Sequence, residues 1–312
     1  MRIIKTVLAL IIICILAGIG FLYLAPEKTT KLVIEIERKR SGLTRNEINL
    51  PGGLHYVYLE GGKGDPLILL HGFGGNKDNF TLVARFLTPH YRVIIPDHIG
   101  FGESSHPQDA DYSTGVQATR IRSLAQALGI TKLHLGGNSM GGQISMMYGA
   151  LYPDEVKSLW LLDPGGIFNT QLSKLGKVII TTGENPLMAR NEDEFSKIFA
   201  FVMVDPPFIP RPILNVMAQE HIRNYELGKR IFKQATSDSV EKYVTGLKIA
   251  TLIVWGDKDR ILSPATAEIL HKLMPRSEVI IMQGLGHLPM IEQLRQSAED
   301  YLRFRKVLDE AK

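Results

Sequence analysis

Residues 132–142 place a short apolar run, a glycine-rich turn and the start of a helix in immediate succession. Within this stretch, residues 137–141 (GNSMG) fit the pattern G-x-S-x-G, in which a serine occupies a sharp strand-to-helix turn. The turn needs glycine at both ends, because a side chain at Gly137 or Gly141 would collide with neighbouring backbone. The helix N-terminus also favours negative charge that develops beside the serine. The pattern predicts a nucleophilic Ser139, although G-x-S-x-G also occurs by chance in glycine-rich loops.

Apolar runs and helical patterns alternate along most of the chain. The runs Leu67–Leu70 and Arg92–Pro96 are typical of buried strands, and Ser113–Leu128 has the periodicity of an amphipathic helix. Lys157–Leu162 and Ala250–Trp255 continue the series of strands. Strands that alternate with helices imply a parallel sheet with right-handed crossovers, so the fold class is predicted to be α/β.

Composition excludes several kinds of function. A formal net charge of +4 over 312 residues is too small to indicate a nucleic-acid-binding protein. Cys14 is the single cysteine, so no intramolecular disulfide can form, and zinc-type Cys/His spacing does not occur. A serine nucleophile of the kind predicted here needs no metal or other cofactor, and the sequence leaves the oligomeric state open.

An uncharged, mostly apolar segment, Thr6–Ala25, follows Arg2 and Lys5 at the N-terminus. At helical rise this segment spans the hydrocarbon core of a bilayer, so it predicts a single-pass transmembrane anchor and a membrane location. The alternative is a cleaved signal peptide followed by secretion, although the segment offers only poor cleavage sites. Basic residues on both sides of the segment leave its orientation in the membrane open.

Two loops carry further candidate site residues. Residues 71–75 (HGFGG) follow an apolar strand, and their small side chains let the backbone turn close to a ligand. The N–H groups of Phe73 and Met140 are the candidate donors of an oxyanion hole. Residues 97–104 (DHIGFGES) are interpreted as a structural loop near the site.

Taken together, residues 71–75, 97–104 and 137–142 resemble the α/β-hydrolase superfamily, in its serine hydrolase branch. The resemblance runs from about Leu54 to the C-terminal helix, and it implies a mostly parallel central sheet with helices on both faces. The serine turn and the N-terminal anchor most resemble the membrane-anchored monoacylglycerol lipases and related bacterial lipases and esterases.

The same resemblance implies the other catalytic residues. The family's acid falls three residues after the glycine that ends a late apolar strand, which gives Asp259; Asp257 and Asp163 are the alternatives. His287 lies in a glycine loop after the last strand, which is the family's position for the catalytic histidine. The implied triad is Ser139, Asp259 and His287, in the chain order that this fold uses.

The strand–helix rhythm is interrupted between residues 167 and 246, and this insertion resembles the helical cap that roofs the serine in the family. The pattern predicts helices over residues 191–204 and 213–234 within it. The expected organisation is a membrane anchor, a juxtamembrane connector, the first half of a hydrolase core, the cap and the second half of the core, over residues 1–26, 27–50, 51–166, 167–246 and 247–312.

Three functions are compatible with these residues. The resemblance implies a serine hydrolase that cleaves carboxylic esters, in particular acylglycerols, through an acyl-enzyme, with a lipid or small ester as substrate. A carbon–carbon bond hydrolase of aromatic meta-cleavage products is the alternative, because residues 137–142 and 164–166 resemble those enzymes as well. Leu288 counts against it, since those enzymes usually carry Trp directly after the catalytic histidine. A non-catalytic binding protein on the same fold is the third hypothesis, which a complete triad disfavours.

Overall fold

The computed structural model describes residues 4–8, 18, 20–237 and 239–310 of the chain. Its centre is an eight-stranded sheet in the order β1-β2-β4-β3-β5-β6-β7-β8. In the sheet β2 runs antiparallel to both of its neighbours, and the other strand pairs are parallel. The predicted mostly parallel sheet is thereby confirmed. The strands are β1 (Leu43–Asn49), β2 (His55–Gly61), β3 (Pro66–Leu70), β4 (Arg92–Pro96), β5 (Leu133–Asn138), β6 (Val156–Leu162), β7 (Thr251–Gly256) and β8 (Ser277–Met282).

Helices pack on both faces of the sheet, because alternate residues of each buried strand point to opposite sides. In β3, Leu67 and Leu69 join one apolar cluster, whereas Ile68 and Leu70 join the other. Each such buried side chain contributes about 2 kcal/mol to folding. The helices are α1 (Pro26–Arg40), α2 (Thr81–Ala84), α3 (Thr114–Ala127), α4 (Met140–Leu151), α5 (Lys174–Thr182), α6 (Glu192–Val202), α7 (Arg211–Arg223), α8 (Tyr225–Ala235), α9 (Glu241–Val244), α10 (Thr266–Leu273), α11 (Pro289–Glu292) and α12 (Leu294–Glu310).

Residues 27–50, expected to form a connector, differ from that expectation because α1 and β1 are packed on the body of the protein. The Arg38 guanidinium donates two hydrogen bonds to the Asp78 carboxylate, at 2.7 and 2.6 Å, and α1 also packs against α7. β1 pairs with β2 along its whole length as an edge strand. The alternation of apolar and polar residues in β1 is weak, because Leu43 is its one fully buried residue.

Most of the expected anchor, Thr6–Ala25, lies outside the described residues, which include only 6–8, 18 and 20–25 of it. Across the parts of the chain that the structure describes, no helix has both the length and the apolar character needed to cross a membrane.

Helices α5 to α9 occupy the chain between β6 and β7. Residues 213–234, predicted to be helical, are helical except at Asn224, where two helices, α7 and α8, meet. Asparagine favours such breaks because its side chain competes for backbone hydrogen bonds. The break lets α8 bury Leu227 and Ile231 in the apolar core, while α7 runs against α6.

Three hydrogen bonds fix this helical segment over the carboxyl ends of the parallel strands. The Gly102 N–H donates to Glu220 Oε1 at 2.5 Å, and Gln143 Nε2 donates to the Ala235 carbonyl at 2.9 Å. The His287 N–H donates to the carbonyl of Val202 at 2.8 Å. The segment therefore lies directly against the loops that carry the predicted site residues.

The loop 97–104 is held by buried charged groups, in agreement with its interpretation as structural. Lys77 Nζ lies 2.7 Å from both Asp97 Oδ2 and Glu103 Oε1, with Lys77 and Asp97 almost fully buried. Removing one partner of a buried ion pair leaves an uncompensated charge, so this cluster fixes the loop firmly.

Candidate active site

Ser139 occupies the strained turn that the sequence predicts, between β5 and α4. Its backbone has φ +54° and ψ −118°, a conformation that costs roughly 1–3 kcal/mol and exposes the side chain at the helix N-terminus. A Cβ atom at Gly137 would lie 2.3 Å from the Gly141 carbonyl carbon, and one at Gly141 would lie 2.1 Å from the Leu70 oxygen. The predicted need for glycine at both positions is therefore confirmed.

The surrounding backbone holds this turn rigidly. β5 is a central strand between β3 and β6, and all six of its residues are buried. The Ser139 N–H donates to the Leu162 carbonyl at 3.0 Å, and the Ser139 carbonyl accepts from Gly165 N at 2.9 Å. The serine is thus fixed on both sides to the end of β6.

His287 and Asp259 are in direct contact at the ends of β8 and β7. His287 Nδ1 lies 2.8 Å from Asp259 Oδ2, with both side chains almost fully buried. The Asp259 carboxylate also accepts hydrogen bonds from Ile261 N at 2.7 Å, Leu262 N at 3.2 Å and Trp255 Nε1 at 3.2 Å. These donors orient the carboxylate, and an imidazole that donates from Nδ1 to Oδ2 has Nε2 available as a base.

The two alternative acids lie in different surroundings. Asp257 pairs with Lys258 Nζ at 2.8 Å and accepts from Gly284 N at 2.6 Å, away from His287. Asp163 is fully buried beside the pair, with a carboxyl oxygen within 4.8 Å of both Asp259 and His287. The structure therefore brings Asp259 into contact with the histidine and places Asp163 next to both.

Residues 71–75 lie against the serine turn. A Cβ atom at Gly72 would lie 3.1 Å from the Ser139 Cβ, so the loop backbone passes directly beside the serine. The buried His71 ring fixes the loop through two hydrogen bonds. Its Nδ1 donates to the Gly72 carbonyl at 2.8 Å, and its Nε2 accepts from His98 N at 3.1 Å. Met140 is the first residue of α4, and its N–H has no acceptor within the helix.

Asn138 links the two halves of the site, a role that the sequence analysis did not assign. Its Nδ2 donates to the Leu162 carbonyl at 3.0 Å and to the His287 carbonyl at 2.9 Å. A fully buried amide at the end of an apolar strand is the signal that could have suggested it, since buried polar groups require partners.

A half-open pocket, with about 40 Å³ of space for water-sized molecules, lies between the loop 71–75, the loop 97–104 and the helices α7 and α8. Its walls are mainly apolar, with Phe73 and Phe101 on the core side and Leu187 opposite. Glu220 and His221 contribute polar groups. Ser139 is not part of its lining. Phe73 is, and it belongs to the loop whose Gly72 passes beside the serine.

Burial lowers the pKa of three histidines, His71, His134 and His221, to about 4. The unfolded chain binds these protons near the ordinary value of 6.5, so stability is complete above that pH and is lost as the pH falls towards 4. Each pH unit in this window costs up to about 1.4 kcal/mol per histidine. We expect the midpoint of thermal unfolding to fall steeply between pH 6.5 and 4.

Thermal unfolding followed by circular dichroism measures this dependence. His134→Gln removes one of the buried rings and makes the pH dependence shallower, whereas His90→Gln, at an exposed position, leaves it unchanged. A midpoint that stays constant from pH 6.5 to 5 would contradict the expectation.

Comparison with known proteins agrees with this architecture. The sequence profile of the α/β hydrolase fold family matches residues 65–192. "Lipase 1" of Psychrobacter immobilis is 46% identical over 90% of this chain and 90% of its own length, and human "Monoacylglycerol lipase ABHD6" is 27% identical over 76% and 74%. The crystal structure of a membrane phospholipase A superimposes with a TM-score of 0.88 and 36% identity, covering 99% of both chains.

Proposed function

Starting from the premise that the chain belongs to the α/β-hydrolase family and is a carboxylic ester hydrolase, we propose that it cleaves acylglycerols or similar lipid esters with Ser139, His287 and Asp259. The observation that carries the proposal is the 2.8 Å contact between His287 and Asp259, together with a serine at φ +54° whose preceding residue, Asn138, donates to the His287 carbonyl. The similarity to a lipase and to a monoacylglycerol lipase supports the choice of substrate.

In the first half of the reaction, His287 Nε2 accepts the proton of the Ser139 hydroxyl while the oxygen attacks the ester carbonyl carbon. Asp259 holds the imidazole in the required tautomer and stabilises its charged form. The imidazolium then gives the proton to the leaving alcohol oxygen as the ester bond breaks, which leaves an acyl-enzyme on Ser139. A water molecule, deprotonated by His287, hydrolyses this intermediate and releases the fatty acid.

The tetrahedral intermediates carry a negative oxygen, for which we propose the N–H groups of Phe73 and Met140 as donors. The close approach of residues 71–75 to the serine and the position of Met140 at a helix N-terminus support this assignment. Each such donor is worth ~3 kcal/mol of barrier lowering in acyl-transfer sites.

We assign the role of a cap to residues 167–246, which cover the site with α5 to α9. The pocket beside Phe73 then receives part of the substrate, because its mainly apolar wall suits an acyl chain.

The deciding experiment is hydrolysis of monoacylglycerols and p-nitrophenyl esters of increasing chain length, with a ring-fission diketone acid assayed in parallel. We expect turnover of the esters, with a chain-length optimum set by the pocket, and none of the diketone acid. Turnover of the diketone acid alone would replace the lipase assignment with that of a carbon–carbon hydrolase. If the protein turns over neither the esters nor the diketone acid and does not react with serine-directed phosphonates, it is a binding protein instead.

We also propose that the segment Thr6–Ala25 anchors the enzyme in a lipid bilayer. The segment carries no charge, and its described end exposes Tyr23 and Leu24 to solvent. Helix α1 follows directly and is tied to the core through Arg38 and Asp78, so the anchor would hold the enzyme at its lipid substrate.

The full-length protein is therefore expected in the membrane pellet after a high-salt wash and in the supernatant after detergent. Ile12→Arg combined with Leu16→Arg shifts it into the soluble fraction, because each arginine costs about 3 kcal/mol at the centre of a spanning helix. Ser123→Arg, at an exposed position of α3, is the control and leaves the distribution unchanged. A mature protein whose N-terminus begins near residue 26 would show a cleaved signal and contradict the anchor.

A further inference from the structure

Asp163 is a buried carboxyl group that the proposed reaction leaves without a role. It follows β6 with φ +44°, one of two non-glycine residues with positive φ among those the structure describes, the other being Ser139. Its Oδ1 accepts a hydrogen bond from Gly256 N at 2.9 Å, whereas its Oδ2 is buried with no partner. A buried acceptor without a donor is costly, so this oxygen requires an explanation.

The hydrogen bonds around the two neighbouring carboxyl groups differ greatly in number. The oxygens of Asp259 accept from three N–H groups of the protein besides His287 Nδ1, as described above. Asp163 accepts from one N–H group. Since donors stabilise a carboxylate and two buried carboxylates this close repel each other, a proton shared by the pair resides on Asp163.

We infer that Asp163 is a neutral carboxylic acid whose Oδ2–H donates a hydrogen bond to the Asp259 carboxylate, and that it is a positioning residue for the triad. This proton satisfies the otherwise unpartnered Oδ2. The titratable groups that face Asp163 are Asp259, His287 and Glu292, and this set is consistent with a protonated acid at neutral pH. Burial, followed by the charge of Asp259, raises the pKa of Asp163 well above its usual range.

Two carboxylates and an imidazole could also serve as cation ligands. The orientation of the groups argues against a cation here, because peptide and indole N–H groups already point at the oxygens of Asp259. A bound cation would lie next to the positive ends of these N–H groups, which repel it.

The consequence for catalysis rests on the proposed triad. The Asp163 O–H adds a donor to the Asp259 carboxylate and restricts its rotation, so that Oδ2 stays directed at His287 Nδ1. Because Asp163 is neutral, Asp259 is the one negative charge of the pair beside the imidazole. Asp163 acts through Asp259 and does not touch the reacting atoms.

Infrared spectroscopy tests the protonation state without any assay of activity. We expect the wild-type protein at pH 7 to show the carbonyl stretch of a buried carboxylic acid, and Asp163→Asn to lose it. Asn tolerates positive φ, so this variant keeps the backbone conformation. Asp65→Asn is the control: the hydrogen bond from Lys157 Nζ lowers the pKa of Asp65, so this variant keeps the band. A band that persists in Asp163→Asn would overturn the inference.

The pH dependence of kcat/KM gives an independent readout. Asp163→Asn replaces one neutral donor by another, so the pH of half-maximal activity on the acidic side stays where it is in the wild type. If Asp163 were ionised, removal of its charge beside His287 would move that pH down by about one unit or more, which would refute the assignment.

Asp163→Gly removes the donor while keeping a residue suited to φ +44°. We expect kcat of this variant to fall about tenfold with KM unchanged, which is the scale of one lost hydrogen bond. Asp163→Asn, which keeps a donor, is expected to have the wild-type kcat. Wild-type kcat in the glycine variant would reject the positioning role. Because the infrared result is independent of turnover, failure of the proposed ester hydrolysis and failure of this inference remain distinguishable.

Discussion

Ser139→Ala is expected to lower kcat for ester hydrolysis by about 10⁶-fold, the scale observed when the nucleophile of a serine triad is removed. The loss follows from chemistry alone, because Asp259 and His287 keep their hydrogen bond and only the attacking oxygen disappears. Stopped assays with a monoacylglycerol at saturating concentration measure it. A fluorophosphonate probe is expected to add its mass to the wild-type protein and not to the variant.

Ser145→Ala is the matched control for this experiment. Ser145 lies on the same helix, is fully buried, and donates its hydroxyl to the Gly141 carbonyl at 2.8 Å. Its removal leaves kcat within about twofold of the wild-type value, because the hydroxyl faces the helix backbone. If Ser139→Ala kept more than a small fraction of the activity, the nucleophile would have to be another residue.

Gly141→Ala is expected to lower the free energy of unfolding by about 3 kcal/mol, the upper range for overpacking. The added Cβ would lie 2.1 Å from the Leu70 carbonyl oxygen and 2.6 Å from that of His71. Both atoms belong to backbone at the end of β3, whose Leu70 is in register with Gly137 of β5. Relief of the contact therefore requires the start of α4 or the end of the central strand β3 to move.

Chemical denaturation of the purified variant measures this loss. Gly115→Ala is the control, because a Cβ at Gly115 meets no atom within 4 Å and the residue lies in α3, where alanine is the better helix former. This control is expected to unfold at the same or a slightly higher denaturant concentration. Equal stability of the two variants would mean that the close approach at residue 141 has little energetic weight.

Much of the site could be predicted from the sequence because its parts are short-range patterns. The turn around Ser139 is specified by glycines within two residues of it, and strand β5 by a short run in which Leu133 and Leu135 precede those glycines. The loops that carry Phe73 and His287 follow apolar strands in the same way. The predicted parallel sheet then required these strand ends to lie at one edge.

Other features depend on contacts between residues far apart in the chain, which no local pattern encodes. The pairing of β1 with β2 stabilises a strand whose own sequence is mostly polar. Asp163 and Asp259 are separated by the five helices α5 to α9 and by strand β7, so the sequence could present them only as rival candidates for one role. The break at Asn224 arises because α7 and α8 pack against different neighbours.

The two hydrogen bonds of the Asn138 amide have a consequence for how precisely the reacting groups stay aligned. One of them ties the backbone of His287 to Asn138, the residue directly before Ser139, and the other ties Asn138 to the end of β6. A displacement of the loop after β8 is thus transmitted to the serine turn through the Asn138 side chain. Motions common to both groups cancel in the separation between them, so that separation fluctuates less than the position of either group alone.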